Sequence, residues 1–109
     1  MDAVLVMDPN SSKQYLFDFS PVLPAADSAL SNIGAGDSTI DAFKFDGTDV
    51  GSTILSSKTR TGKTLIVTIS ALTLGQEYRV RFVGEGATSA QKFTMWLQVL
   101  CRNEGEAEL

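Results

Sequence analysis

The side chains in this sequence that are able to do chemistry are acidic groups and one thiol. The chain has 13 aspartates and glutamates, one cysteine and no histidine. The absence of histidine excludes Ser-His-Asp and Cys-His catalysis and removes the commonest transition-metal ligand. Glycoside hydrolysis needs two carboxylates at a set separation in a cleft, and no spacing here indicates such a pair. The sequence therefore favours a protein that is not an enzyme. A small hydrolase is the alternative that a pocket of convergent ionisable groups would support.

The triplet Gly62, Lys63 and Thr64 matches the end of a phosphate-binding loop. Such a loop needs another glycine five residues before Gly62, where this chain has Ser57, and it must open a helix. The residues after the triplet alternate like a strand instead. We therefore predict a β-hairpin turn here, and no bound nucleotide or other cofactor.

Four aspartates lie close together in the sequence: Asp37, Asp41, Asp46 and Asp49. Calcium prefers about six to eight oxygen ligands that converge on one point, and the spacing of these residues matches no EF-hand or tandem calcium loop. We interpret them as aspartates of solvated turns and predict no metal site.

Cys101 is the single cysteine, so the chain cannot form an internal disulfide or a zinc site made of cysteines. It ends an apolar run. Reactive thiols generally need a cationic neighbour or a helix N-terminus. We predict a buried or half-buried structural thiol.

The charge balance argues against nucleic-acid binding. The formal net charge is -4 and the pI is about 4.6, whereas nucleic-acid binders usually present a basic face. One basic group contains Lys58, Arg60 and Lys63, and a second contains Arg79 and Arg81. We interpret both as solvated charges of loops or strand faces.

Apolar and polar residues alternate along much of the chain. The clearest alternating segments are KTLIVTIS, EYRVRFVG and KFTMWLQVL, and weaker ones are AVLVM, QYLFDF, SALSNI, TIDAFKF and STILSS. Such alternation is typical of half-buried antiparallel strands. We predict an all-β protein, an immunoglobulin-like antiparallel β-sandwich of about seven to eight strands with short terminal extensions. Residues 1–102 would form this single domain.

The segment LTLGQEYRVRF places a tyrosine just inside a late strand, shortly after a turn. This pattern is typical of a tyrosine corner, in which the hydroxyl binds the backbone a few residues upstream. We predict that Tyr78 forms such a corner after Gly75, and that Leu72 and Leu74 pack beneath it. The role of these residues would be structural.

Trp96 lies between Met95 and Leu97, on the strand face opposite to the predicted core face. With Leu100, and with Leu16 and Ile66 on other strands, it would form an outward apolar patch. A tryptophan buried in a wide core is the alternative. We favour a subunit interface, because tryptophan is enriched among residues that anchor interfaces.

Both ends of the chain are predicted to extend from the domain. The N-terminal run contains Val4, Leu5 and Val6, and residues 103–109 form an acidic tail. The N-terminal apolar patch is too short for a signal peptide or a membrane span. We predict that this run joins Trp96 in the interface, and that either end can add a strand to a neighbour's open sheet edge.

Three segments resemble a family of small structural proteins of tailed bacteriophages. They are DPNSSKQYLFDFS, KTLIVTISALTLGQEYRVRF and KFTMWLQV, and they include Asp8, Pro9, Tyr15, Phe17, Asp18, Phe19, Ser20, Phe93, Thr94 and Val99. The family pattern usually has tryptophan where Phe19 stands here. The resemblance implies an immunoglobulin-like virion protein without catalytic residues: a capsid decoration or cement subunit, a head fibre, or a tail or connector component.

The resemblance leads us to expect a capsid decoration protein that binds and stabilises the head shell. Its partners would be the major capsid protein or other virion proteins, with further copies of itself on the particle. It would be made in the host bacterial cytoplasm and would bind neither nucleic acid nor membrane. A tail, connector or fibre component is the first alternative. A carbohydrate- or receptor-binding module that uses Trp96 and Tyr15 is the second.

Overall fold

The computed structural model describes residues 2–34 and 37–102, which form seven strands and one short helix. In chain order these are β1 (Asp2–Met7), β2 (Lys13–Asp18), β3 (Thr39–Lys44), α1 (Gly51–Ile54), β4 (Leu55–Thr61), β5 (Thr64–Ile69), β6 (Glu77–Glu85) and β7 (Lys92–Cys101). Within these residues, no helix has the length and apolar character needed to cross a membrane.

The strands form two sheets that pack together. The larger sheet has the order β1-β7-β6-β3 and the smaller has the order β2-β5-β4. The predicted all-β class is therefore confirmed. The pairing of β1 with β7 is parallel, whereas the other four strand pairs are antiparallel. The prediction of antiparallel pairing therefore holds for these four pairs and is wrong for β1, which lies parallel to β7 at the edge of the larger sheet.

The inner faces of the two sheets form the core. Buried side chains alternate along the strands as predicted: Leu65, Val67 and Ile69 on β5, Tyr78, Val80 and Phe82 on β6, and Met95, Leu97 and Val99 on β7. The ring of Phe82 joins the sheets, since its centroid lies 5.7 Å from that of Tyr15 and 6.3 Å from that of Phe17, both on β2.

Residues 28–33 (SALSNI) were predicted as a strand, and the structure shows a crossing segment instead. The N–H of Leu30 donates to the carbonyl of Gly62 at 2.9 Å, and the N–H of Ser31 donates to the carbonyl of Glu85 at 2.8 Å. Gly62 belongs to the β4–β5 hairpin and Glu85 to β6. The prediction is wrong because this segment bonds to both sheets in turn and pairs along neither.

Residues 52–57 (STILSS) were also predicted as one strand, but their first half is the helical turn α1. Ile54 and Leu55 are adjacent and both buried, which a straight strand cannot achieve because neighbouring side chains point to opposite faces. The helical turn of α1 changes the backbone direction, so that both side chains point into the core. β4 then runs to Thr61, and its mostly exposed side chains show no alternation of apolar and polar residues.

The N-terminal run is not a free extension. β1 is a full strand of the larger sheet, with Val6 opposite Leu100, and Met7 is completely buried. The N–H of Arg102 donates to the carbonyl of Met7 at 2.9 Å, which ties the end of β7 to the end of β1. The prediction of an N-terminal arm is therefore wrong. The predicted acidic tail, residues 103–109, lies outside the described residues.

The predicted tyrosine corner is present. Tyr78 is buried, and its hydroxyl accepts a hydrogen bond from the backbone N–H of Thr73 at 2.9 Å. Leu72 is buried and belongs to the core, as predicted. The corner therefore fixes the entry of the chain into β6.

Leu74, by contrast, does not pack beneath the corner, since 53% of it is exposed. The N–H of Gln76 donates to the carbonyl of Thr73 at 3.1 Å, which closes a turn with Leu74 and Gly75 at its tip. Gly75 has a φ of 85°, as the third residue of a type II turn requires. Leu74 occupies the second position of this turn and points outward, so its predicted structural role is wrong.

Replacing Tyr78 with phenylalanine is expected to lower the free energy of unfolding by about 1–2 kcal/mol, because the Thr73 N–H loses its acceptor. Urea unfolding would measure the change. Tyr15→Phe is the matched control, since the Tyr15 hydroxyl makes no hydrogen bond within residues 2–34 and 37–102. Equal midpoints for the two variants would contradict a structural role for the Tyr78 hydroxyl.

Candidate functional site

The outer face of the larger sheet carries the most distinctive surface group. Trp96 is half-buried and points away from the core, as its position in β7 predicts. The strand register places Trp96 opposite Arg81, and Arg81 opposite Asp41. In the next row, Arg79 lies opposite Phe43. We call Asp41, Phe43, Arg79, Arg81 and Trp96 the tryptophan face.

The two guanidinium groups stack against aromatic rings. Arg79 lies 5.6 Å and Arg81 lies 5.8 Å from the centroid of the Trp96 ring, and Arg81 also lies 5.3 Å from the Phe43 ring. The Phe43 and Trp96 rings are 6.3 Å apart. Each exposed cation–π contact contributes about 0.5–1 kcal/mol. Together they hold the tryptophan in one orientation on the surface.

Of the two arginines of the tryptophan face, only Arg81 forms an ion pair within the described residues. The Nη2 of Arg81 donates to Oδ2 of Asp41 at 2.9 Å, in an ion pair whose partners are 38% and 34% exposed. Exposure limits such a pair to about 1 kcal/mol or less. The Nε of Arg81 is buried and has no acceptor among the described residues. Nor does any carboxylate in this part of the chain pair with Arg79.

The residues predicted to join Trp96 divide between the two sides of β1 and β7. Leu100 and Val6 are half-buried and lie side by side on the outer face, and Val4 is 63% exposed there. Leu5 faces the other way and packs against the core. Its predicted interface role is wrong, because alternate residues of a strand point to opposite faces.

Leu16 and Ile66 do not belong to the same patch as Trp96. They pair with each other on β2 and β5, in the smaller sheet. Leu16 is 55% exposed on the outside of that sheet. The single patch predicted from side-chain alternation is therefore two separate patches on opposite sides of the protein. Alternation shows which residues of a strand point outward, but it does not show to which sheet the strand belongs.

The four clustered aspartates do not converge. Asp41 is on β3 and pairs with Arg81, whereas Asp46 accepts from the N–H of Thr48 and Asp49 from the N–H of Gly51, both at 2.9 Å. No group of three or more potential metal-binding side chains occurs in the described residues. The interpretation as turn aspartates is correct for Asp46 and Asp49 and wrong for Asp41.

The Gly-Lys-Thr segment is a hairpin turn, as predicted. Thr61 pairs with Thr64, which leaves Gly62 and Lys63 as a two-residue loop. Gly62 has a φ of 59°, which is the requirement for the first loop residue of a type II′ turn. Arg60, in the same basic group, donates to the side-chain oxygen of Asn32.

The thiol of Cys101 is buried, as predicted, with 1% of the residue exposed. Burial raises the pKa of the Cys101 thiol above its usual value, and the negative charge of Asp8 raises it further. The thiolate form that reacts with electrophiles is therefore disfavoured.

Asp27 is a buried polar residue that the sequence analysis did not identify. Its Oδ1 accepts from the N–H groups of Thr88 and Ser89 at 2.8 and 2.9 Å, and its Oδ2 accepts from the Ser89 hydroxyl at 2.6 Å. These bonds join the loop after β2 to the loop between β6 and β7. A single aspartate in a loop carries no periodic signal that reveals such a contact.

Three clefts on the described surface are lined by few ionisable side chains. A cleft of about 150 Å³ between β2 and the start of β7 is lined by Phe17, Phe19, Val22, Phe93, Thr94 and Met95. A second cleft contains Glu77 as its one ionisable side chain, and a third contains Asp41 and Lys58. None of these three clefts contains the pair of carboxylates that glycoside hydrolysis needs.

The sequence of this chain matches no known family model and no curated protein.

Proposed function

We propose that this chain is a non-enzymatic docking domain that acts through the tryptophan face. The observation that carries the proposal is a half-buried tryptophan held on the outer surface by two arginines. Tryptophan and arginine, together with tyrosine, are enriched among the residues that dominate binding energy in protein interfaces. A surface that fixes the orientation of both types loses little side-chain entropy when a partner binds.

The strand order supports an immunoglobulin-like assignment for the fold. In that fold, strands B, E and D form one sheet, and C, F and G form the other. The order β2-β5-β4 corresponds to B-E-D, and β7-β6-β3 corresponds to G-F-C. The tyrosine corner at the start of β6 lies where strand F of the fold has one.

The most specific form of the proposal is a bacteriophage capsid decoration protein that binds the major capsid protein. It rests on the resemblance described above and on the geometry of the tryptophan face. A repeated shell presents the same site many times, so a modest contact by each copy produces strong attachment when copies also touch one another. The exposed Val4 beside this face enlarges the apolar contact.

Trp96→Ala is expected to weaken binding to phage capsids stripped of decoration protein by about 30-fold or more, which corresponds to a loss of about 2 kcal/mol. Co-sedimentation of purified protein with the capsids would measure the affinity. Leu16→Ala is the matched control, because Leu16 is an exposed apolar residue on the opposite side of the protein. Equal binding by Trp96→Ala and wild-type protein would refute the proposed function.

A glycan-binding module is the second candidate, and one observation favours it. Tyr15, the second aromatic expected from the sequence, packs inward against Phe82, but Phe43 takes its place beside Trp96. Asp41 and Arg81 add polar groups to this aromatic pair. Binding to a glycan array that Trp96→Ala removes would select this candidate over the capsid protein.

A further inference from the structure

The cleft between β2 and the start of β7 opens to solvent, and its walls are mostly apolar. Its volume is about 150 Å³, and it is lined by Phe17, Phe19, Val22, Phe93, Thr94 and Met95. A protein cavity of about 150 Å³ with leucine, isoleucine and phenylalanine walls binds benzene. The cleft therefore has room for one phenyl ring.

Three phenyl rings form much of the wall of this cleft. The Phe19 ring lies against the backbone of Gly84, where an added Cβ would come within 3.0 Å of three ring atoms. The Phe17 ring meets the Phe19 ring edge to face, with centroids 4.7 Å apart. Phe17 and Phe93 are only half-buried. Their exposed surfaces can contact a further aromatic ring in the same stacked or edge-to-face manner.

Phe45 has the most exposed large apolar side chain among the described residues, since 74% of it is exposed. Its backbone is held in place. The N–H of Phe45 donates to the carbonyl of Glu77 at 3.2 Å, and the N–H of Gly47 donates to the carbonyl of Lys44 at 2.9 Å, which closes a tight turn. A phenyl ring on a fixed turn is thus presented to solvent at one end of the sandwich.

Phe45 and the cleft lie at opposite ends of β6. Phe45 bonds to Glu77, the first residue of this strand, whereas Phe93 of the cleft pairs with Gly84 near its other end. Seven positions separate Glu77 from Gly84, which is about 23 Å along a strand. Phe45 therefore cannot enter the cleft of its own chain, but it can enter the cleft of a second copy.

The charges beside Phe45 and beside the cleft are complementary. Lys44 and Asp46 flank Phe45 in the sequence, whereas Asp18 and Lys92 are each adjacent to a phenylalanine of the cleft. None of these four charged side chains forms an ion pair within the described residues. One orientation of two copies can therefore place Asp46 near Lys92 and Lys44 near Asp18.

We propose that Phe45 of one copy inserts into this cleft of the next copy, so that copies of the chain associate head to tail. Such a contact joins two different surfaces, so it produces rings or open chains and not a closed pair. One inserted side chain makes a small and weak interface, but copies held side by side on a particle meet at a high effective concentration. The contact does not involve the tryptophan face, although its role on a particle rests on the proposed function.

Two complementary variants test this contact. Phe45→Ala removes the inserted ring and keeps the cleft, whereas Val22→Trp places an indole at the rim of the cleft and keeps Phe45; both positions are exposed. Neither variant alone should self-associate, but an equal mixture should form one-to-one dimers. In nuclear magnetic resonance spectra at about 1 mM protein, amide signals of isotope-labelled Phe45→Ala should shift around the cleft when unlabelled Val22→Trp is added. Unchanged signals, or shifts confined to other surfaces, would overturn the proposal.

The unmixed proteins provide the control. Wild type should show shifts both at Phe45 and at the cleft as its concentration rises to about 1 mM, and Phe45→Ala should show neither. Val4→Ala is the matched control, because Val4 is another highly exposed apolar residue and lies on the outer face of the larger sheet. It should behave as wild type. Shifts at the cleft with added toluene, but none with added Val22→Trp protein, would show that the cleft takes a small apolar molecule and would refute the contact between copies.

Capsid binding separates this inference from the proposed function. If the mixed variants form no dimers while Trp96→Ala still weakens capsid binding, the head-to-tail contact is absent but the docking function stands. If the mixed variants form dimers while Trp96→Ala binds capsids normally, the contact between copies exists but the docking function fails.

Discussion

Replacing Phe82 with alanine is expected to lower the free energy of unfolding by about 3–5 kcal/mol, the largest stability loss that we predict for a single substitution. Phe82 is fully buried on β6, and its ring contacts the rings of Tyr15 and Phe17 on β2. Alanine would leave a cavity at the point where the two sheets meet. The cavity adds to the lost transfer free energy, because close-packed neighbours relax only partly into it.

Urea unfolding followed by circular dichroism would measure this loss. Val83→Ala is the matched control, since Val83 is the next residue of β6 and points outward. We expect that variant to lose about 1 kcal/mol or less, mainly through its lower strand propensity. A Phe82→Ala protein with the same midpoint as the Val83→Ala protein would show that the sheets do not meet at this ring.

Replacing Asp27 with alanine is expected to lower the melting temperature by an amount on the order of 10 °C, because three hydrogen bonds to its buried carboxylate are lost. The N–H groups of Thr88 and Ser89 donate to the Asp27 carboxylate. Space around this carboxylate is tight, since a Cβ at Gly86 would lie 2.3 Å from its Oδ2. Thermal unfolding would therefore show Gly86→Ala to be destabilising as well.

Asp27→Asn is the matched control for the charge. Its amide oxygen still accepts from the two backbone N–H groups, and its NH₂ group can donate to the Ser89 hydroxyl. We expect a smaller loss than for Asp27→Ala. Equal losses for the two variants would contradict the proposed hydrogen-bond role of the side chain.

A comparison of wild type with Asp27→Asn also tests how the stability of the fold depends on pH. The Ser89 hydroxyl and then the Ser89 N–H lower the pKa of the Asp27 carboxyl by bonding to its charged form. A carboxyl with a lowered pKa stabilises the fold fully above its unfolded pKa of about 3.9, and this stabilisation is lost as the pH falls through the folded pKa. The gap in stability between wild type and Asp27→Asn should therefore close in acid. Asp18 and Asp46 also have lowered pKa values but are present in both proteins.

In the docking function that we propose, the tryptophan face binds its partner through shape and charge. Its aromatic rings present a broad apolar surface, and its stacked arginines present donors whose geometry is already set. For that proposed function, we expect a partner to offer an apolar contact for Trp96 and an acidic group near Arg79. These requirements make binding sensitive to salt as well as to loss of the tryptophan ring.

Much of the core followed from the sequence because side-chain alternation is a local property. In β5, β6 and β7, every second residue is apolar, and those residues are buried except for the half-buried Phe93 near the start of β7. The outward position of Trp96 followed from the same rule. The tyrosine corner was also predictable, because its hydroxyl bonds to a residue only five positions upstream.

Only the tertiary structure decided which outward residues become neighbours. It placed Phe43 and Arg81 against Trp96, and it placed Leu16 on the opposite side of the protein. It also brought Asp27 to Ser89, 62 positions away. These contacts depend on the order of the strands and on the segments that cross between the sheets. Both follow from how the whole chain buries its apolar side chains. No segment of the sequence contains that information alone, because alternation specifies the face of a strand and not the strand beside it.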